Sequence, residues 1–161
     1  MFVCLGNICR SPLAHGIFQQ LVDEAGLSAR FEIASSGTGA WHVGEPPDRR
    51  MRQTAQRYGV QLDDLRARRF EVPDFDAYDH IYVMDRRNLQ DVRRLDQAGR
   101  YGAKVQLFRD FDPEPEDGQV PDPYYGGEKG FETVYSIVER TCQRLLDHLV
   151  EEHDLASGSE V

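Results

Sequence analysis

A chain of 161 residues with 40% hydrophobic content can build one core and is too short for two ordinary domains. Its 19 basic and 28 acidic residues leave a formal charge of −9, which argues against nucleic acid or an anionic membrane as partner. A mean hydropathy of −0.59, with no apolar run of about twenty residues, excludes a membrane-spanning helix. No basic stretch leads into a longer apolar one at the start, so no signal peptide is expected. Three sparse cysteines suit a reducing compartment, and the expected location is cytoplasmic.

Strand-like and helix-like pieces alternate along the chain. Met1 to Cys4 is a short apolar run meeting Gly6-Asn7, which reads as a buried strand entering a turn. Pro12 suits the first position of a helix, and Leu13, Ile17 and Leu21 recur at helical spacing until Gly26. Phe31 to Ser36 is a second strand. Gly37 to Pro46 is a loop carrying the single tryptophan, Trp41. Pro47 opens a helix with Met51, Ala55 and Tyr58 on one face and Gly59 as its stop. His80 to Met84 reads as a strand, Arg86 to Asp96 as a helix, and Lys104 to Phe108 as a strand. Arg109 to Gly127 lacks periodicity and reads as a long surface loop, a length often tied to function. The last helix, about residues 129–152, aligns Phe131, Val134, Val138, Leu145 and Leu149, and residues 153–161 read as a flexible tail.

This order predicts a single α/β domain over residues 1–152, a central twisted parallel sheet with helices on both faces. Ligands of such sheets sit at the carboxyl ends of the strands, and the first strand ends at Cys4. The segment that follows is Cys4-Leu5-Gly6-Asn7-Ile8-Cys9-Arg10-Ser11-Pro12. Between a strand and a helix start, the backbone N–H groups of Leu5, Gly6, Asn7, Ile8, Cys9 and Arg10 can curl into an anion-binding nest. Gly6 and Asn7 are the residue types that accept left-handed backbone. Such a nest favours the thiolate form of Cys4. Arg10 can grip two phosphate oxygens with its planar fork, and Ser11 is placed to hydrogen-bond the sulfur. A thiolate beneath a bound phosphate is a nucleophile aimed at phosphorus, and no metal or cofactor is needed. Taken singly, a strand-end cysteine is more often a small buried hydrophobe; the whole run carries the reading. Cys4 and Cys9 lack the further ligands a metal site would need, and the five histidines show no ligand spacing.

Val3 to Pro12 resembles the signature of the low-molecular-weight protein tyrosine phosphatases. The likeness continues through Ser35-Ser36-Gly37-Thr38, Trp41, Gly44-Glu45-Pro46-Pro47-Asp48, Met84-Asp85 with Asn88-Leu89, Asp122-Pro123-Tyr124-Tyr125-Gly126 and Phe131-Glu132-Thr133-Val134, from about Met1 to Leu149. The resemblance implies hydrolysis of phosphotyrosine in a protein, or of a small aryl phosphate, through a phosphocysteine. It makes Cys4 the nucleophile, Arg10 the phosphate clamp and Asp122 the general acid and then base. By residue type alone Asp110, Asp112, Glu114, Glu116 and Asp117 are rivals, and Asp122 stands out because Pro123 biases it toward extended backbone. Trp41, Tyr124 and Tyr125 would wall a slot deep enough for phosphotyrosine and too deep for phosphoserine. The family can also pair the nucleophile with the second nest cysteine, here Cys9, in a shielding disulfide. One departure stands out: where many relatives support the nest asparagine with a histidine, this chain has Leu65, which leaves the support of Asn7 open.

Three other readings compete. Arginine phosphatases of this fold carry Thr where Ile8 stands and lack the full tyrosine pair. Arsenate reductases need additional cysteines on a mobile segment, and residues 60–110 contain none. A binding module would lose the nucleophile or the acid, yet Cys4 and Asp122 are both present. The expected assembly is a monomer or a weak homodimer.

Overall fold

The computed structural model describes residues 1–124 and 127–155. Four three-residue strands form one parallel sheet: β1 (Phe2–Cys4), β2 (Ser35–Gly37), β3 (Ile81–Val83) and β4 (Val105–Leu107), in the order β2-β1-β3-β4. Five helices connect or cover them: α1 (Arg10–Glu24), α2 (Arg49–Arg57), α3 (Asp74–Ala77), α4 (Arg86–Leu95) and α5 (Glu128–Glu152). The α/β sandwich expected from the sequence is therefore present. Because β1 lies between β2 and β3, the chain reverses its direction of winding there and opens a crevice at the carboxyl end of β1.

Alternation along β1 divides the core. Phe2 and Cys4 face the layer containing Leu13, Ile17 and Phe18 of α1 and Val138 and Leu145 of α5. Met1 and Val3 face the opposite layer, with Phe75 of α3 and Val92 of α4. Burying a strand on both faces removes any polar alternation from its sequence, which is why β1 reads as a continuous apolar run.

Several boundaries differ from expectation. Of residues 31–34 only the Ala34 carbonyl joins the sheet, accepting from the Phe2 amide at 2.9 Å, so β2 is the small-residue stretch Ser35–Gly37 rather than the apolar run before it. Helix α1 starts at Arg10, which makes Pro12 its third residue rather than its first. Only Asn7 of the Gly6-Asn7 pair takes left-handed backbone, with φ of 55°.

The acidic segment after β4 is not wholly a surface loop. Phe108–Phe111 forms a 3-10 turn, and Arg109, Asp112 and Val120 are buried. Asp112 sits between two guanidinium groups, accepting from Arg109 Nε at 2.9 Å and from Arg140 Nε at 2.8 Å. Arg109 also donates to the carbonyls of Gln119 and Glu114 at 2.6 and 3.1 Å. A segment with no apolar periodicity is thus held by buried charge, which periodicity does not register. Of the expected tail, His153 and Leu155 donate to α5 carbonyls and Leu155 packs on the main core; residues 156–161 lie outside the described residues. Among the described residues no helix is long and apolar enough to cross a membrane.

Candidate active site

The β1–α1 connection is tightly fixed by its outward-facing carbonyls. Those of Cys4, Leu5 and Ile8 accept from the amides of Thr38, Gly39 and Asp48 at 2.9, 2.9 and 2.7 Å. Those carbonyls are engaged outside the loop, and the Asn7 amide faces Cys4 Sγ at 3.3 Å. Gly37 makes this packing possible, because a Cβ there would meet Leu5 O at 2.8 Å and Asn7 N at 3.1 Å. Cys9 precedes helix α1 without a side-chain capping bond, and the first turn holds no acidic residue. Its first amides and the positive end of its dipole therefore point at the same place as the nest.

Behind the sulfur lies a buried polar chain. Ser11 Oγ is 3.0 Å from Cys4 Sγ, receives Asn7 Nδ2 at 2.7 Å and reaches the Ser36 carbonyl at 3.2 Å. One hydroxyl proton serves two acceptors here. With a thiol, S–H donates to Ser11, whose own proton goes to Ser36; with a thiolate, the Ser11 proton turns to sulfur. Asn7 Oδ1 accepts from the Arg68 amide at 3.0 Å. That backbone donor supplies the support for which Leu65 has no polar atom, and Leu65 instead packs on the core.

Arg10 is 2% exposed and its orientation is determined from across the sheet. Its Nη1 donates to Asp85 Oδ2 at 2.7 Å and to the Val120 carbonyl at 3.0 Å, and its Nη2 lies 3.6 Å from Asp122 Oδ2. Burial opposes the charge, yet Cys4, Asp85 and Asp122 together hold the guanidinium pKa above its ordinary value. Asp85 also caps α4, accepting from the Asn88 amide at 2.8 Å while Asn88 Oδ1 returns the bond at 3.2 Å. Cys9 is buried in the nest wall. Burial, with Asp48, Cys4 and Asp122 adding to it, pushes its thiol pKa far up. Both nest cysteines are free.

A pocket of about 370 Å³ opens over this floor, lined by Cys4, Leu5, Gly6, Ile8, Cys9, Arg10, Trp41, His42, Asp122 and Tyr124. A family model described as low molecular weight phosphotyrosine protein phosphatase matches residues 1–155. The chain belongs to that family.

A low molecular weight phosphotyrosine protein phosphatase of Schizosaccharomyces pombe is 46% identical over 136 residues, covering 84% of this chain and 86% of that one. The structure of a protein tyrosine phosphatase from Entamoeba histolytica, with Hepes in its active site, superposes with a TM-score of 0.87 at 38% identity, covering 96% of this chain and 97% of the other. A structure described as a Drosophila arginine phosphatase superposes with a TM-score of 0.85 at 31% identity, covering 92% and 95%. The activity of this low-molecular-weight phosphatase is that of a protein tyrosine phosphatase, a phosphoric monoester hydrolase.

The phosphatase brings every described residue singled out in its sequence to one place. Asn7 and Ser11 lie buried behind the sulfur, and the others line the pocket. Tyr125 lies outside the described residues. Trp41 is 72% exposed at the rim and its ring lies over Gly39, where a Cβ would come within 1.9 Å of it. Tyr124 also lines the pocket; its ring lies 5.6 Å from Arg50 Cζ and its carbonyl accepts from Arg50 at 2.9 Å. Asp122 is fixed beside it, its Oδ1 accepting from the Tyr124 amide at 3.0 Å.

Sequence reasoning left three contributors of the phosphatase without a role. Asp85 stood inside a recognised motif, but its hold on Arg10 spans 75 residues. The Arg68 amide has no side-chain signature. His42 lines the pocket and pairs with Glu45, and its neighbour Trp41 was the only signal near it.

Proposed function

We propose that Cys4 carries the reaction as a nucleophile and that the phosphoryl group passes through a cysteinyl phosphate. The single observation that carries this reading is the buried sulfur of Cys4, which faces the Asn7 amide at 3.3 Å and the Ser11 hydroxyl at 3.0 Å. The amides of Leu5 to Arg10 and the Arg10 fork hold the three non-bridging oxygens, stabilising the charge that develops on them. Sulfur attacks phosphorus from the pocket floor, the S–P bond forms and the P–O bond to tyrosine breaks. Asp122 delivers its proton to the departing phenol oxygen. In the second step Asp122 takes a proton from water, the water oxygen bonds phosphorus, and sulfur leaves with the Ser11 proton turned toward it. No redox partner enters, and the products are tyrosine and inorganic phosphate.

Selection rests on depth and walls. Trp41 and Tyr124 both line the pocket, and in this reading a phenyl ring packed against them lets its phosphate reach Cys4. Three buried free cysteines, one of them the nucleophile, support a reducing, cytoplasmic setting. Trp41, Val43 and Tyr124 expose apolar surface around the mouth, which supports a monomer or a weak homodimer whose contact would cover the entrance.

Likeness to the Drosophila arginine phosphatase favours one second reading, phosphoarginine as substrate. Phosphate release from matched phosphotyrosine and phosphoarginine peptides, with chelator present, separates the two. Fast release from the tyrosine peptide alone is the expected result. Preference for phosphoarginine would overturn the aromatic-slot reading while keeping Cys4, Arg10 and Asp122 in their roles.

A further inference from the structure

The end of the sheet opposite the pocket carries a second cluster of chemically active side chains. His80 immediately precedes β3, at the amino end of the parallel sheet, and Glu152 and His153 close helix α5. His80 Nε2 and His153 Nε2 face each other at 2.9 Å. Glu152 Oε2 lies 3.8 Å from the first and 3.7 Å from the second. One donor atom from each residue fits within 4.8 Å of the others. The histidines stand 73 residues apart, so no spacing in the sequence announces them.

We propose that His80, Glu152 and His153 form a binding site for one divalent transition metal of the zinc class, separate from the phosphatase pocket. Bonds of about 2.0–2.2 Å at tetrahedral angles set donor atoms about 3.3–3.5 Å apart. The three observed separations bracket that spacing, so side-chain rotations of a few tenths of an ångström complete the geometry. Two imidazole nitrogens and one carboxylate oxygen suit zinc, cobalt or nickel rather than magnesium or calcium, which take all-oxygen sites.

Three independent features favour a cation here. The carbonyl end of the 25-residue helix α5 presents the negative pole of its dipole. His148, one turn back on that helix, lies 3.7 Å from the same Glu152 oxygen and helps orient it. His80 is partly buried and stacked on Tyr82, which fixes the direction of its ring. Glu152 and His153 are nearly half exposed, so the ion has a path in and water can fill the fourth position. A metal here would brace the end of α5 against β3, a structural role with no part in phosphoryl transfer.

The test uses the full chain, stripped with chelator and alkylated at Cys4 so that the nest sulfur cannot take metal. Calorimetric titration with Zn²⁺, and with Co²⁺ followed by its visible absorption, should each show one equivalent bound. His80→Ala/His153→Ala should weaken binding about tenfold or more. Before alkylation, the same variant should keep wild-type phosphotyrosine hydrolysis, which shows that the fold survives. Glu152→Gln, a surface change, gives a second reading of the same site and should also weaken binding. Absence of a bound equivalent in the alkylated wild type, or equal affinity in the substituted chains, would overturn the site.

Discussion

Two loops meet over the Cys4 sulfur, and they are held by opposite means. The nest loop, residues 4–11, is contiguous, largely buried and fixed by backbone hydrogen bonds from Thr38, Gly39 and Asp48. The acid loop, residues 108–124, has one short 3-10 turn and is fixed by side-chain charge: Asp112 between Arg109 and Arg140, Val120 on Arg10, and Tyr124 on Arg50. The backbone of the cradle is thus set by main-chain bonds, while the segment that carries the proton donor is set largely by side-chain charge. Backbone amides aimed at a sulfur tolerate little movement. An acid that must follow different leaving groups can be carried on a segment pinned at a few points.

The nest is the more sensitive of the two loops. Cys4→Ser removes the nucleophile and leaves every amide of the cradle in place. Turnover of a phosphotyrosine peptide should fall by more than about a thousandfold while inorganic phosphate still binds. Calorimetry with phosphate alongside the rate measurement checks both halves; substantial residual turnover would move the nucleophile elsewhere. On the other side of the pocket, Asp122→Asn should cost about a hundredfold or more for phosphotyrosine. For phosphate esters of acidic phenols, whose leaving group needs no proton, the loss should be much smaller. A uniform loss across a series of phenols would point to another acid.

The nest was legible because its chemistry lies in consecutive residues. Cys4 to Pro12 names the nucleophile, the clamp and the helix start in one run, and the fold class follows from alternating apolar segments. Strand limits were less legible: β2 uses Ser35 and Ser36 because they are small and lie under the nest, whereas Phe31 and Ile33 carry the apolar signal one step earlier. The acid loop hid its order for a different reason. Buried ion pairs between Arg109, Asp112 and Arg140 look like solvated charge in a sequence, and the hold of Asp85 on Arg10 exists only once the sheet has formed. The Arg68 amide that replaces the usual partner of Asn7 could not be read at all, since every residue but proline has one.

Asp112→Asn sharpens the contrast by loosening the acid loop without touching the nest. It takes from Arg109, 2% exposed, the nearest of its carboxylates, with Glu116 and Asp117 at 3.8 and 3.9 Å, a change that costs up to about 3–5 kcal/mol in buried pairs. Denaturant unfolding measures that loss. Under conditions where the variant is still folded, phosphotyrosine turnover should fall while alkylation of Cys4 by iodoacetate proceeds at the wild-type rate. Equal losses in both would show that the two loops form one unit.

Acid separates the anchors of the two loops by pH. On the nest side His15, one turn past Ser11 on α1, lies 3.1 Å from Ser35 Oγ of β2, and burial lowers its pKa from 6.5 to about 4. The unfolded chain takes up a proton there before the folded one does. His15 therefore leaves stability untouched above pH 6.5 and erodes it as pH falls toward about 4, by at most about 3 kcal/mol. On the acid side burial alone would raise the pKa of Asp112, but hydrogen bonds from Arg140, the Glu114 amide and Arg109 hold it below the usual carboxylate value. Its contribution is complete above the unfolded-state value of about 3.9 and disappears only as pH falls below that. Denaturation midpoints measured between pH 7 and 4 should decline in the wild type, and His15→Asn should flatten that decline while Asp112→Asn leaves its slope unchanged. An unchanged slope in His15→Asn would mean that another group, and not the packing of α1 on β2, takes up the proton first.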